Sequence, residues 1–402
     1  DDELVGEFLA EFPYDDTPDQ SEVSADIARD LSGERPMDRL LCGDVGFGKT
    51  EMAVRAAFRV VSAGGQVAVL VPTTILAEQH LQTFRSRMAD FPMTVRGLSR
   101  YTSAKEKKAT LAGLADGSVD VVIGTHRVLS KDVKFQSLGL VVIDEEQRFG
   151  VTHKEHFKKL RANVDMLTLT ATPIPRTLHM SLSGIRDISA LNEPPPGRQE
   201  IETKLGYRSD DALVAEAFRR ELGRGGQIFF LHNRVTSIDS VAAHLRGLVP
   251  EARYAIGHGQ MGAAELREVM ESFRRGEVDV LVATTIIENG VDVPTANTIV
   301  VDEADHFGLS ELHQLRGRVG RGSVKAYCYL LVEKHKPLKE HARARLKALE
   351  EMNHLGAGFG IAVKDLELRG AGNVLGAQQS GHIAAVGYDR YCRLLKLTGE
   401  RL

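Results

Sequence analysis

The sequence predicts an α/β protein built as two parallel-sheet lobes in tandem, followed by a helical hairpin. Over residues 40–172, short apolar, β-branched runs (LLC, QVAVLV, VDVVIG, LGLVVID, MLTLT) alternate with longer amphipathic stretches, the pattern of parallel strands joined by crossover helices. At 193–197 the chain reads EPPPG, and three consecutive prolines deny both helix and sheet hydrogen bonds. The same alternation then restarts.

Within the first lobe the pattern places one helix up to Ala63 and another from Thr74. The second lobe runs through QIFFLHN, a helix to about Leu248, RYAIGH, a helix to Arg275, VDVLVATT, NTIVVDEA and KAYCYLLV. Beyond Glu333 the sequence turns helix-rich, with a basic helix over 341–354, the turn LGAGFG and a helix ending at Arg369, then RGAG and LGAQQSG. The expected domains are therefore 1–195, 196–335 and a helical appendage over 336–402.

At 402 residues the chain has the length of two or three domains. It is 43% hydrophobic and 26% charged, with no apolar run long enough to span a bilayer, so a soluble cytoplasmic protein is expected. Asp1 is preceded by no initiator methionine or secretory signal, and a fragment of a longer chain is the expectation. Cys42, Cys328 and Cys392 lack metal-ligand spacing and read as reduced thiols. A formal net charge of −4 argues against a protein that coats polyanions, so any nucleic-acid contact must be local.

The strongest motif is GDVGFGKT, spanning Gly43, Asp44, Val45, Gly46, Phe47, Gly48, Lys49 and Thr50, directly after a strand and directly before a helix. Its glycines let backbone N–H groups close on phosphate oxygens, and the helix N-terminus adds its dipole. Lys49 is placed to neutralise the β- and γ-phosphates of ATP, and the Thr50 hydroxyl to ligate Mg2+. Asp144, Glu145, Glu146 and Gln147 end the strand LGLVVI at the sheet's carboxyl edge, where such folds bind ligands. Asp144 is expected to hold Mg2+ through water, and Glu145 to polarise the attacking water.

Upstream of the loop, FPYDDTPDQ carries Phe12 followed by Thr17 and Gln20, an arrangement resembling an adenine-reading motif. Phe12 reads equally as a base-stacking ring or a core aromatic. Thr170 and Thr172 flank Ala171 at another strand end, either relaying nucleotide state or capping a helix. In the second lobe HQLRGRVGR carries Gln314, Arg316, Arg318 and Arg321, expected on one short helix, and so many guanidinium groups make sense if an anion arrives. Arg318 and Arg321 are the candidate arginine fingers.

Small polar groups suited to backbone phosphates recur at strand ends in both lobes: Thr73 and Thr74, Thr125 and His126, Asn233 and Arg234, His258 and Gln260. Each alone reads as an ordinary polar turn, and their recurrence favours sequence-independent, salt-sensitive DNA binding. The segment LVATTIIENGVDVP adds Thr284, Thr285, Glu288 and Asp292 near the expected cleft.

Together GDVGFGKTE, VPTTILAEQH, IGTHRVL, VIDEEQRFGV, TLTATPIPRTL, IGHGQM, TTIIENGVDVPTANTIV and ADHFGLSELHQLRGRVGR resemble the bacterial transcription-repair coupling factor family, over essentially the whole chain. The branched-DNA helicase RecG shares TATPIPRTL and the LHQLRGRVGR block, whereas Phe47, PTT and HGQM look more like the coupling factors. The resemblance implies two RecA-like lobes of a superfamily 2 helicase core, with ATP and Mg2+ as cofactors. It also implies a monomeric translocase on double-stranded DNA, with Gln20, Gln147 and Gln314 among the nucleotide contacts. DLELRGAG and LGAQQSG are similar to the family's translocation motif, with Arg369 and Gln379 as its polar coupling pair. The family's modules for RNA polymerase and for the excision-repair damage-recognition protein have no counterpart in these residues. Many relatives carry His at the position of Gln147, although glutamine still donates and accepts. The alternatives are RecG-like remodelling of branched DNA and a nucleotide-gated DNA-binding module without turnover.

Overall fold

The computed structural model describes residues 2–369 except 101, 151, 152, 154, 156, 158, 159, 172–185, 286–292, 321, 323 and 336. They form two compact α/β units that part between Pro195 and Pro196. Among the described residues no helix is long and apolar enough to cross a membrane.

The first unit is a seven-stranded sheet of β1 (Asp38–Gly43), β2 (Gln66–Leu70), β3 (Val95–Leu98), β4 (Val121–Gly124), β5 (Leu138–Asp144), β6 (Asp165–Thr170) and β7 (Asp187–Leu191). The strand order is β3-β4-β2-β5-β6-β1-β7, and every pairing is parallel. Central strands such as β2 are buried at every residue, because crossover helices cover both sheet faces. Val122, Val141, Ile143 and Met166 form one core with Phe149 and Phe157. The helix Lys49–Ser62 buries Met52, Val54, Ala57 and Phe58. At the end of β4, a Cβ on Gly124 would lie 2.1 Å from the Leu98 carbonyl of β3, so only glycine lets the two strands close.

The second unit contains β8 (Ile201–Tyr207), β9 (Gln227–Leu231), β10 (Tyr254–Gly257), β11 (Val280–Ala283), β12 (Ala296–Val301) and β13 (Ala326–Val332), again all parallel, in the order β10-β11-β9-β12-β13-β8. Phe218, Ile228, Phe230, Ile238, Leu245 and Val300 lie at its core. Two helices of the expected appendage, Glu340–Glu351 and Gly358–Arg369, pack on this unit. Arg316 Nη1 donates to the Leu349 carbonyl at 2.9 Å, Arg345 to the Asp305 carbonyl at 3.1 Å, and Ser310 Oγ to Asp365 at 2.9 Å.

The sheets repeat one another. With β7 set aside, the first order maps onto the second strand for strand, β1 onto β8 and β5 onto β12. The correspondence extends to a corner: VVIDEEQRFG at the end of β5 and IVVDEADHFG at the end of β12 each place a glutamate in the left-handed region, Glu145 at φ 54° and Glu303 at φ 52°. They are the two non-glycine described residues with positive φ, a conformation costing about 1 kcal/mol or more apiece, and each opens a short 3-10 turn.

One expectation is corrected. The helix Leu309–Arg316 holds Gln314 and Arg316 but stops at Gly317, so Arg318 lies on the following turn, its N–H bonded to the Leu315 carbonyl at 3.0 Å. Glycine, a poor helix former, ends the run. Arg321 lies outside the described residues.

Candidate functional site

The phosphate loop leaves β1 at Gly43 and turns through Gly46 (φ 81°) and Gly48 (φ 94°) before Lys49 opens its helix. Lys49 Nζ donates to the Gly43 and Asp44 carbonyls at 2.5 and 2.9 Å, which holds the ammonium in the bowl of the loop. Phe47 is fully buried, which anchors the loop. Its carbonyl accepts from Gln20 Nε2 at 3.0 Å. Gln20 in turn completes a capping box with Thr17 at the head of the helix Pro18–Leu31. Gly48 is favoured as glycine by its positive φ, and a Cβ there would stand 2.6 Å from Gln20 Nε2 and push that amide aside.

Phe12 is half-buried. Its ring lies beneath the guanidinium groups of Arg55 (4.8 Å) and Arg87 (5.4 Å) and meets Tyr14 edge-on. Arg55 is pinned by Asp16 and Glu51, and Arg87 by Glu51.

Asp144, at the end of β5, accepts from His80 Nε2 at 3.0 Å. Next to it the left-handed turn aims Glu145 back over the sheet edge, where its Oε1 accepts from the Ala171 N–H at 3.2 Å and its Oε2 from the Gln147 amide. Burial pushes the Glu145 carboxyl above its ordinary pKa, the Asp144 charge adds to the shift, and Lys49 opposes it. Glu146 faces the other way, bonded to Arg161 and Arg186, which also hold Asp38 at the start of β1. This ion network ties the acidic corner to the strand that carries the phosphate loop. Thr170 is buried at the end of β6, and Thr172 lies outside the described residues.

The donor set suits Mg2+ bound jointly with a nucleotide. The Thr50 hydroxyl and the Asp144 carboxylate are hard oxygen donors, and one Asp144 oxygen has no protein partner among the described residues. Among those residues no group of three or more carboxylate, imidazole or thiol side chains could hold a metal ion.

The phosphate-contact candidates fall on the other half of each sheet. Thr73 caps the helix after β2, its Oγ1 accepting from Leu76 N, with Thr74 buried behind it. Thr125 is buried at the end of β4 and His126 exposed beside it. In the second unit, the adjacent strands β10, β11 and β9 are followed by His258, by Thr284 and Thr285, and, two residues on, by Asn233. Thr285 Oγ1 lies 3.4 Å from Asn233 Oδ1, and Gln260 is exposed in the turn beyond His258. Arg234 is exposed and paired with Glu303 at 3.0 Å. Gln314 and Arg318 are buried within the second unit. Glu288, Asp292 and Gln379 lie outside the described residues, and Arg369 is described only as the last residue of its helix.

Sequence reasoning missed His80. The signal was present, because Leu76, Ala77, His80, Leu81 and Phe84 share the buried face of the helix Thr74–Arg87, and an imidazole on such a face needs a polar partner. It also missed the second corner, where Asp302 is chelated by Arg208 and bonded by His232 at 2.7 Å, with Ser237 on the other imidazole nitrogen at 2.7 Å.

Residues 17–181 match the DEAD/DEAH box helicase family and residues 211–323 the helicase conserved C-terminal domain. The chain is 56% identical to the transcription-repair-coupling factor of Bacillus subtilis over 98% of its own length and 34% of that protein's. It is 57% identical to the factor of Mycobacterium bovis over 97% of its length and 31% of that protein's. Among solved structures, RecG bound to a three-way DNA junction superposes with a TM-score of 0.78 at 38% identity, covering 98% of this chain and 52% of that one. The fold is therefore that of a superfamily 2 helicase core. Spanning about a third of the length of the curated relatives it matches, the chain belongs to the transcription-repair-coupling factor family.

Proposed function

We propose that this chain is an ATP-hydrolysing motor that translocates along double-stranded DNA without reading its sequence. The observation that carries the reading is the convergence of Lys49, Asp144 and Glu145 at one sheet edge, with Glu145 held by the N–H of Ala171 at the end of the intervening strand β6. Lys49 and the loop amides hold the triphosphate, Thr50 and Asp144 hold Mg2+, and Glu145 orients the attacking water. Mg2+ supplies neutralisation of the charge that develops on the phosphates. Arg318 and Arg321 are the arginine-finger candidates, a role worth about 10^3-fold or more in rate. The strand ends bearing Thr73, Thr125, Asn233, His258 and Thr284 bind duplex phosphates, and Arg369 and Gln379 couple turnover to movement. In the whole protein the motion displaces a stalled RNA polymerase and recruits excision repair through modules beyond these residues.

ATPase assays with linear duplex, single-stranded and forked DNA test the reading. Duplex stimulation of wild type, lost in Lys49→Ala, supports it, and a rate indifferent to DNA refutes it. The likeness to RecG favours a second reading, remodelling of branched DNA, which predicts that forks stimulate far more than linear duplex.

A further inference from the structure

The structure assigns to His80 the role of a positioning residue that fixes the Asp144 carboxylate for Mg2+, an inference that rests on the nucleotide-binding reading above. His80 is buried on the inner face of the helix Thr74–Arg87, away from the phosphate loop in sequence, and its Nε2 lies 3.0 Å from Asp144 Oδ2. A carboxylate only accepts, so Nε2 carries the proton and donates. The imidazole is buried and meets Phe84 edge-on, ring centroids 6.5 Å apart, which limits its rotation. Asp144 then has one oxygen fixed by protein and one with no partner among the described residues.

The second unit supplies an internal comparison. At its matching corner Asp302 also receives an imidazole, from His232 Nδ1 at 2.7 Å. There, however, the guanidinium of Arg208 spans both carboxylate oxygens, Nε on Oδ1 at 2.5 Å and Nη2 on Oδ2 at 3.1 Å. Both corners keep the imidazole. Only the second has its remaining oxygen taken up by a side-chain cation, and the second unit has no GxxxxGKT loop. The imidazole thus belongs to the acidic corner as a fixed part, while the place opposite it is filled by Arg208 in one unit and left to a divalent cation in the other. Hydrogen bonds that orient a metal-binding carboxylate typically carry about 10- to 100-fold in metal affinity.

The test titrates Mg2+ against binding of a fluorescent ATP analogue to the full chain, for wild type, H80L, H80Q and H80N. Leucine keeps the volume and removes the donor, glutamine places an amide N–H near the Nε2 position, and asparagine is too short to reach. The expected result is a Mg2+ midpoint raised about 10- to 100-fold in H80L and H80N. H80Q should recover most of the shift, and affinity in EDTA should stay unchanged in all four proteins. Turnover of H80N at saturating Mg2+ should rise back toward wild type, which a merely structural defect would not allow. If H80L does not fold, the contrast between H80Q and H80N decides alone. Equal midpoints in H80N and H80Q, or a parallel loss of affinity in EDTA, would overturn the inference. A wild type that fails to bind the analogue with or without Mg2+ would instead overturn the nucleotide reading beneath it, and wild-type binding that ignores Mg2+ would overturn the inference.

Discussion

Gln20 Nε2 donates to the Phe47 carbonyl at 3.0 Å, tying a helix that precedes the sheet to the middle of the phosphate loop. The same side chain's Oε1 accepts from Thr17 N, so one amide closes a helix cap and braces the loop. Phe47 itself is fully buried.

Gln20→Ala is expected to weaken nucleotide binding by about threefold to tenfold, the worth of one neutral hydrogen bond at about 0.5–1.5 kcal/mol. Isothermal titration with an ATP analogue measures it, and an unchanged affinity would show that the loop holds its shape unaided. Gly48→Ala, which meets Gln20 and a positive φ together, is expected to cost more than Gln20→Ala.

Glu145→Gln is expected to bind ATP and to lose about 10^2-fold or more in turnover, because the amide cannot take a proton from water. The same variant should be more stable than wild type at neutral pH. Burial raises the folded-state pKa of Glu145, so the wild-type residue favours folding fully only below its unfolded pKa, and that contribution is lost as pH rises through the folded value. A melting temperature of the variant above that of wild type near pH 8, with the gap closing by pH 4, is the predicted signature. The acid limb of the wild-type turnover profile should correspondingly lie above the ordinary carboxylate range. A gap that widens on acidification would contradict the sign.

Arg234 and Glu303, paired at 3.0 Å on the second unit, predict opposite effects on duplex binding. Arg234→Ala should weaken binding equally across sequences and reduce the salt slope by about 1. Glu303→Gln should strengthen binding, since the carboxylate no longer competes with DNA phosphate for the guanidinium. Fluorescence anisotropy over a salt series reads both, and identical slopes in all three proteins would remove Arg234 from the interface.

The central strands were legible in the sequence because they are buried on both faces and read as unbroken apolar runs. β3, β7 and β8 were not. All three are edge strands with a single neighbour, and VRGL, DISAL and IETKLGY carry polar residues on their open side. The phosphate loop and the Asp-Glu corner were legible for the opposite reason, since their chemistry demands a fixed spacing within one segment. His80 was not, because its partner lies on another strand and only the fold brings the two together. The end of the arginine helix at Gly317 was missed through reading a run of guanidinium groups as one element.

Displacement of a third strand from linear duplex, with and without ATP, tests the motor most directly. ATP-dependent displacement by wild type, absent in Lys49→Ala and Glu145→Gln although both still bind duplex, is the predicted result. Displacement that is the same without ATP, or absent in wild type under conditions where it binds DNA and hydrolyses ATP, would contradict it.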